Sequence, residues 1–135
     1  MFRCRDYCLT ALLTLLFAGC GQPAVTVVGL VTLDGKPIDF GTVTFYPVEE
    51  GTLYYGVIDA TGHYALASVD GRVAIEPGEY DVAVRVVQAV PSTDKMAPPM
   101  PKLLSPVKYA DPKTSGFRFR LQAGRNTVDL AMISQ

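Results

Sequence analysis

The sequence has no tryptophan, a single histidine and three cysteines in 135 residues. A zinc centre needs three or four nitrogen or sulfur ligands, and this set does not supply them. An excess of one charge is lacking too, since 12 Lys and Arg face 13 Asp and Glu. A net charge of −1 excludes binding nucleic acid by neutralising its phosphates. Asp34, Asp39, Asp59, Asp70 and Asp111 are scattered without calcium-loop spacing. No glycine-rich phosphate loop, serine elbow or pair of catalytic glutamates is visible. These absences leave no metal, no cofactor and no enzymatic role to expect. What is present is apolar: 49% of residues are hydrophobic, the share of one globular domain rather than of a disordered chain.

The beginning of the chain reads as an address. Arg3, Arg5 and the α-amine outweigh Asp6, and residues 9–17 are apolar except for Thr10 and Thr14. As a helix that run covers roughly 14 Å at 1.5 Å per residue, about half a bilayer core. It is too short to span and the right length for the apolar region of a signal peptide. Phe17-Ala18-Gly19-Cys20 follows, and it resembles the lipobox of bacterial lipoproteins, with Phe17 at a position usually held by Leu. The resemblance implies cleavage after Gly19 and a diacylglyceryl group on the Cys20 thiol. Residues 1–19 are then a cleaved lipoprotein signal peptide and 20–24 a lipidated tether. The mature chain of 116 residues loses two of 12 basic and one of 13 acidic residues, for a net of −2. With Cys4 and Cys8 removed and Cys20 acylated, no internal disulfide forms, so packing alone must hold the core.

Beyond Cys20 the hydrophobic period is two. Tyr80, Val82, Val84 and Val86 alternate with Asp81, Ala83 and Arg85, and Phe117, Phe119 and Leu121 with Arg118 and Arg120. Val43 with Phe45, and Val128 with Leu130 and Met132, repeat the pattern. Such alternation predicts half-buried antiparallel strands. Turn residues punctuate it: Asp34-Gly35-Lys36-Pro37 and Asp59-Ala60-Thr61-Gly62 close hairpins, Pro77-Gly78 opens a strand and Ala123-Gly124-Arg125-Asn126 separates the last two. Seven strands follow, near 25–33, 41–47, 53–59, 63–68, 79–87, 117–122 and 126–133, with a short eighth piece at 73–75. The expected class is all-β, a seven-stranded two-sheet sandwich of transthyretin-like or Ig-like type over residues 25–135.

Several motifs point the same way. Gly29-x-Val31, Asp34-Gly35-Lys36-Pro37-Ile38 and Gly41-x-Val43-x-Phe45 are followed by Asp59-x-x-Gly62-x-Tyr64-x-Leu66 and Pro77-Gly78-Glu79-Tyr80-x-Val82-x-Val84. Together they resemble carboxypeptidase-regulatory-like domains, the transthyretin-like (prealbumin-like) sandwiches. Val107-Lys108-Tyr109-x-Asp111-x-x-Thr114-Ser115, then Gly124-x-Asn126, is similar to small lipoproteins of planctomycete bacteria. The resemblance implies a fold and hardly a chemistry. Transthyretin relatives that hydrolyse 5-hydroxyisourate carry several histidines and a C-terminal Tyr-Arg-Gly-Ser, which Leu130-Ala131-Met132-Ile133-Ser134-Gln135 does not match. Tyr64 and Tyr80 lie in phase with apolar neighbours, so their rings fill core and their hydroxyls need partners.

Three places are candidates for function. Tyr46 and Tyr54 are expected to offer a surface aromatic patch for carbohydrate; Tyr54 and Tyr55, adjacent on a strand, face opposite sides. His63, near Asp59, is the residue a lipid-anchored hydrolase would have to use. Residues 88–116 form a proline-rich loop far longer than the usual connection. Its Pro98, Pro99, Met100 and Pro101 are read either as packing across a sheet or as a docking segment. Four lysines against two aspartates give that loop +2, too little for nucleic acid or a polyanion.

The expected protein is non-enzymatic: a membrane-anchored module of the bacterial cell envelope. Its partners are membrane lipid through Cys20 and an envelope protein or polysaccharide. Gly21 is not the aspartate of inner-membrane retention, which favours the outer membrane. Five tether residues reach roughly 17 Å at about 3.3 Å each. Strand parity then puts the turns at 34–37 and 60–62, and the 88–116 segment, at the far pole.

Overall fold

A computed structural model of the chain describes residues 24–68 and 74–134. Among the described residues, the regular structure is twelve strand segments and one 3-10 turn, with no α-helix. The segments are β1 (Thr26–Leu33), β2 (Lys36–Pro37), β3 (Thr42–Pro47), β4 (Tyr54–Val57), β5 (His63–Ala65), β6 (Ala67–Ser68), β7 (Gly78–Arg85), β8 (Val87–Val90), β9 (Met100–Leu103), β10 (Arg118–Leu121), β11 (Arg125–Thr127) and β12 (Leu130–Met132). The protein is all-β, and its sheets form a sandwich-like arrangement.

The first sheet is built on β1. Along one edge β1 pairs with β5 and β2, both antiparallel; along the other it pairs with β11 and then β12, both parallel. The parallel pairing departs from the all-antiparallel expectation. Alternation reports a half-buried face, and it is blind to the direction of the neighbouring strand. The second sheet is antiparallel throughout, in the order β10-β7-β3-β4-β6. Residues 63–68 serve both sheets: β5 pairs with β1 and β6 pairs with β4. The turn at Asp59–Gly62 therefore carries the chain from one sheet to the other instead of closing a hairpin. The Asp34-Gly35 turn does close one, between β1 and β2.

The alternating residues meet between the sheets. Val27 and Val31 of β1, Val43 and Phe45 of β3, Tyr80, Val82 and Val84 of β7, and Leu130 and Met132 of β12 are all buried. Phe45 bridges the layers, its ring centroid 6.4 Å from Tyr64 in the first sheet and 6.2 Å from Tyr80 in its own. Burying each such side chain contributes about 1.5–3 kcal/mol. The tyrosine hydroxyls find backbone acceptors, Tyr64 donating to Val128 O at 2.7 Å and Tyr80 to Glu76 O at 2.7 Å.

Pairing also sets the poles. β1 begins beside Gly124, since Thr26 N donates to Gly124 O, and Val25 bridges Ile75; of the 73–75 piece, residues 74 and 75 are described. At the opposite end lie the Asp34-Gly35 turn, the Asp59–Gly62 turn and the exit of β7. Val31 N donates to Gly62 O, and Leu104 N donates to Val86 O. The pairings put the two turns and the start of the 88–116 segment at one pole, while residues 20–23 of the tether lie outside the described residues.

The 88–116 segment is more ordered than a loop. β8 and β9 pair antiparallel, Val87 opposite Leu103 and Val90 opposite Met100, as a two-stranded ribbon beyond the sandwich. A 3-10 turn, Val107–Ala110, then buries Tyr109. The prolines hid this: they interrupt the alternation, while Pro91 falls just past β8 and Pro98 and Pro99 just before β9.

Candidate functional site

At the pole opposite Val25 a concave surface meets exposed apolar residues. A cavity of about 420 Å³ opens where the β1–β2 turn meets the root of the ribbon. Leu33, Pro37, Ile38, Phe40, Val86 and Leu104 supply its apolar wall, with Asp34, Lys36 and Asp39 among its polar lining. Ser105 shapes its floor. Its hydroxyl donates to Val84 O at 3.3 Å and accepts from Val86 N at 3.2 Å, satisfying both backbone groups at the kink between β7 and β8.

Carboxylates brace this pole. Asp34 takes a positive φ of 50°, and its carboxylate accepts both the N–H (3.0 Å) and the hydroxyl of Ser134. The Ser134 hydroxyl, then the Ser134 N–H, hold the Asp34 carboxyl below the usual aspartate range. Asp59 accepts from Thr61 Oγ1 at 2.6 Å, Thr61 N at 2.8 Å and His63 N at 3.0 Å, and these bonds, the Thr61 hydroxyl first, lower its pKa as well. Asp94 and Asp111 repeat the pattern, accepting from the N–H two residues on at 3.0 and 2.8 Å.

His63 is exposed on β5, with Nδ1 2.8 Å from Thr61 Oγ1. The Thr61 proton is committed to Asp59, so Nδ1 donates to the hydroxyl. A nucleophile would need the reverse, a base accepting the hydroxyl proton. Asp59, Thr61 and His63 thus make a turn. A groove of about 720 Å³ on the outer face of the first sheet runs past His63, Asp59, Arg125 and Asp129. Asp129 is occupied there, accepting the Leu30 N–H at 2.9 Å. Among the described residues, no cluster of three or more His, Cys, Asp or Glu is placed to hold a metal ion, and no buried side-chain nitrogen or oxygen lacks a partner.

The tyrosine patch needs correction. Tyr54 is 0% exposed: it opposes Phe45 across β3–β4, and its ring lies 5.9 Å from Tyr80. Its hydroxyl donates to Ala74 O and accepts from Glu76 N, both at 3.2 Å. Tyr54 is core and contacts no ligand. Tyr55, its neighbour, faces out. The register puts Tyr55 diagonal to Tyr46 on the outer face of the second sheet, where Asp81 opposes Tyr46 and forms a two-bond pair with Arg118 at 2.7 and 3.1 Å.

Pro98, Pro99, Met100 and Pro101 lie on the ribbon and its tip, all exposed. The apolar loop residues divide: Tyr109 closes the core, stacking on Phe117 at 5.3 Å with its hydroxyl accepting Ile133 N at 3.1 Å, while Met96 is 92% exposed. Cys20, with Phe17, Ala18 and Gly19, lies outside the described residues. Of the described residues, no helix is long and apolar enough to cross a membrane.

Sequence reasoning did not single out Ser105, Asp129 or the brace role of Asn126. The Asn126 amide accepts Gln122 N and donates toward Gln122 O, Gly124 O and Thr26 O, locking the crossing from β10 to β11. Gly124-x-Asn126 was its visible signal. No protein-family model, curated protein or solved structure matches the chain.

Proposed function

We propose that this protein is a non-enzymatic lipoprotein of the bacterial cell envelope, held to its membrane by an acylated Cys20 and displaying a rigid β-sandwich. The sequence Phe17-Ala18-Gly19-Cys20 after a short apolar run is the observation that carries the reading. Two or three acyl chains at about 0.8 kcal/mol per buried CH₂ make such an anchor effectively permanent. In this reading the strand segments reduce to a seven-stranded transthyretin-like sandwich, with residues 63–68 and 125–132 each counted as one strand and β2, β8 and β9 left outside the count. A short tether at the Val25 end leaves the opposite pole, with its cavity and ribbon, facing away from the anchoring membrane, and the outer membrane is the favoured site. The role is presentation of that pole to an envelope partner.

Mass spectrometry of the native protein tests the anchor. The expected amino-terminal residue is a diacylglyceryl-modified Cys20, and Cys20→Ser is expected to abolish the lipid and release the protein from membranes. An intact Met1 or an unmodified thiol at residue 20 would overturn the reading.

A second reading, contact with envelope polysaccharide, draws on the outer face of the second sheet. Tyr46 and Tyr55 lie there with the Asp81–Arg118 pair, and diagonal cross-strand neighbours stand about 7–8 Å apart. Two rings beside paired hydrogen-bonding groups suit a sugar face. Polysaccharide affinity that survives Tyr46→Ala with Tyr55→Ala would dismiss it.

A further inference from the structure

The ribbon is built and exposed, and it contributes little to the core. Val87, Val90, Met96, Met100, Leu104 and Val107 all stand in solvent around it, Met96 at 92% and Val107 at 78% exposure. A two-stranded hairpin is marginal by itself in water. Here the apex is nevertheless fixed locally: Asp94 N donates to the Ser92 hydroxyl oxygen, Met96 N to the Asp94 carboxylate and Ala97 N to Asp94 O. Those bonds hold Met96, the most exposed large apolar side chain described, at the far end of the molecule. Clustered exposed apolar surface of this kind marks an interaction site.

Its chemistry narrows the partner. An added strand would need free backbone donors, and Pro91, Pro98, Pro99 and Pro101 remove them along and beside β8 and β9. A protein interface would be expected to centre on Trp, Tyr or Arg. Residues 86–106 contain none of these. What the ribbon adds to its apolar tip is lysine: Lys95 beside Met96 and Lys102 on β9 outnumber Asp94, whose carboxylate is already engaged by the Met96 N–H. The opposite pole is acidic, with Glu49, Glu50, Glu76 and Glu79 beside one Arg120 around a groove of about 250 Å³. The excess of lysine on the ribbon itself favours an anionic surface.

We infer that the ribbon tip inserts into the surface of a bilayer rich in anionic lipid, Met96 and Met100 entering the interface while the lysines meet the headgroups. Each lysine is drawn to the negative potential of such a surface, and the unbranched methionines add apolar burial. A charge of +2 is too small to hold a polyanion alone, and it becomes sufficient once apolar insertion accompanies it. The inference does not rest on acylation of Cys20.

The chain has no tryptophan, so Met96→Trp places a single reporter at the apex. In the full-length protein its emission is expected to shift to the blue with vesicles of phosphatidylglycerol and phosphatidylcholine. The shift is expected to be absent with phosphatidylcholine alone, to be lost at high salt, and to be lost in Lys95→Glu with Lys102→Glu. Tyr55→Trp, on the sheet face, should not shift. Unchanged emission at residue 96, or equal shifts at residues 96 and 55, would overturn the inference. So would a shift that appears without lipid as protein concentration rises, which is self-association, or only on adding an envelope protein.

Discussion

Gly29 and Val128 meet at a distance that admits no side chain: a Cβ on Gly29 would lie 1.7 Å from the Val128 carbonyl oxygen. The parallel ladder between β1 and the β11–β12 edge is interrupted at this point, and the Asp129 carboxylate takes the Leu30 N–H in its place. Neither backbone can withdraw, because Val128 N donates to Val28 O at 2.8 Å. Gly29→Ala is therefore expected to destabilise at or beyond the upper end of the ~1–3 kcal/mol range for overpacking. The midpoint of urea unfolding checks this. A midpoint unchanged from wild type would mean that the two strands are further apart.

The same carbonyl accepts the Tyr64 hydroxyl. Burial, and secondarily the nearby Asp129, push the Tyr64 phenol far above its ordinary value, so it remains a donor through the physiological range. Tyr64→Phe should cost about 1 kcal/mol, read from thermal unfolding, with no change in fold. Tyr80, whose phenol burial pushes up to about 12, is expected to behave alike.

Tyr54 and Tyr55 separate core from surface within one dipeptide. Tyr54→Ala removes a fully buried ring and should cost about 3–5 kcal/mol, while Tyr55→Ala should change stability by less than about 1 kcal/mol. Calorimetry of the two variants decides it. Equal losses would contradict the register of β3 with β4.

Acid should loosen the tail before the core. The Asp34 carboxyl, favoured as a carboxylate by Ser134, stabilises the folded form above the ordinary aspartate range near 3.9. That contribution disappears as pH falls through its lowered folded value. The Ser134 amide is expected to stay protected from exchange through the ordinary aspartate range and to lose protection only as pH falls through the lowered folded value of Asp34. Asp34→Asn, which tolerates the positive φ, should remove that pH dependence and leave Tyr109 buried.

The ribbon is dispensable to the sandwich. Val87 opposes Leu103, so a short Gly-Ser link in place of 88–102 joins residues that are already neighbours. The melting temperature of that variant is expected to fall by no more than a few degrees, since loop-closure terms change slowly with length.

Much of this architecture was legible. The buried residues Val43, Phe45, Tyr80, Val82, Val84, Leu130 and Met132 are those the two-residue period marked, because burial of one sheet face imposes that period on the sequence. The turn glycines Gly35, Gly62 and Gly78 do take positive φ. Strand direction and sheet membership were not legible: a parallel β1–β12 pair and an antiparallel one bury the same alternate residues. Tyr54 was misread because position two along a strand identifies a face without saying which face is inside. The opposing Phe45 decides that, and it comes from another strand. The ribbon escaped notice because its pairing depends on backbone geometry that prolines obscure. Cys20 remains a statement of sequence alone.

The first sheet is assembled from partners far apart along the chain, Leu30 and Asp129 being 99 residues from one another. A nascent polypeptide released from the ribosome, or from an export channel, only as far as β10 has no strand to lay along that edge of β1. It cannot complete its fold in passage. Such late closure keeps the chain pliable until its last segment has emerged.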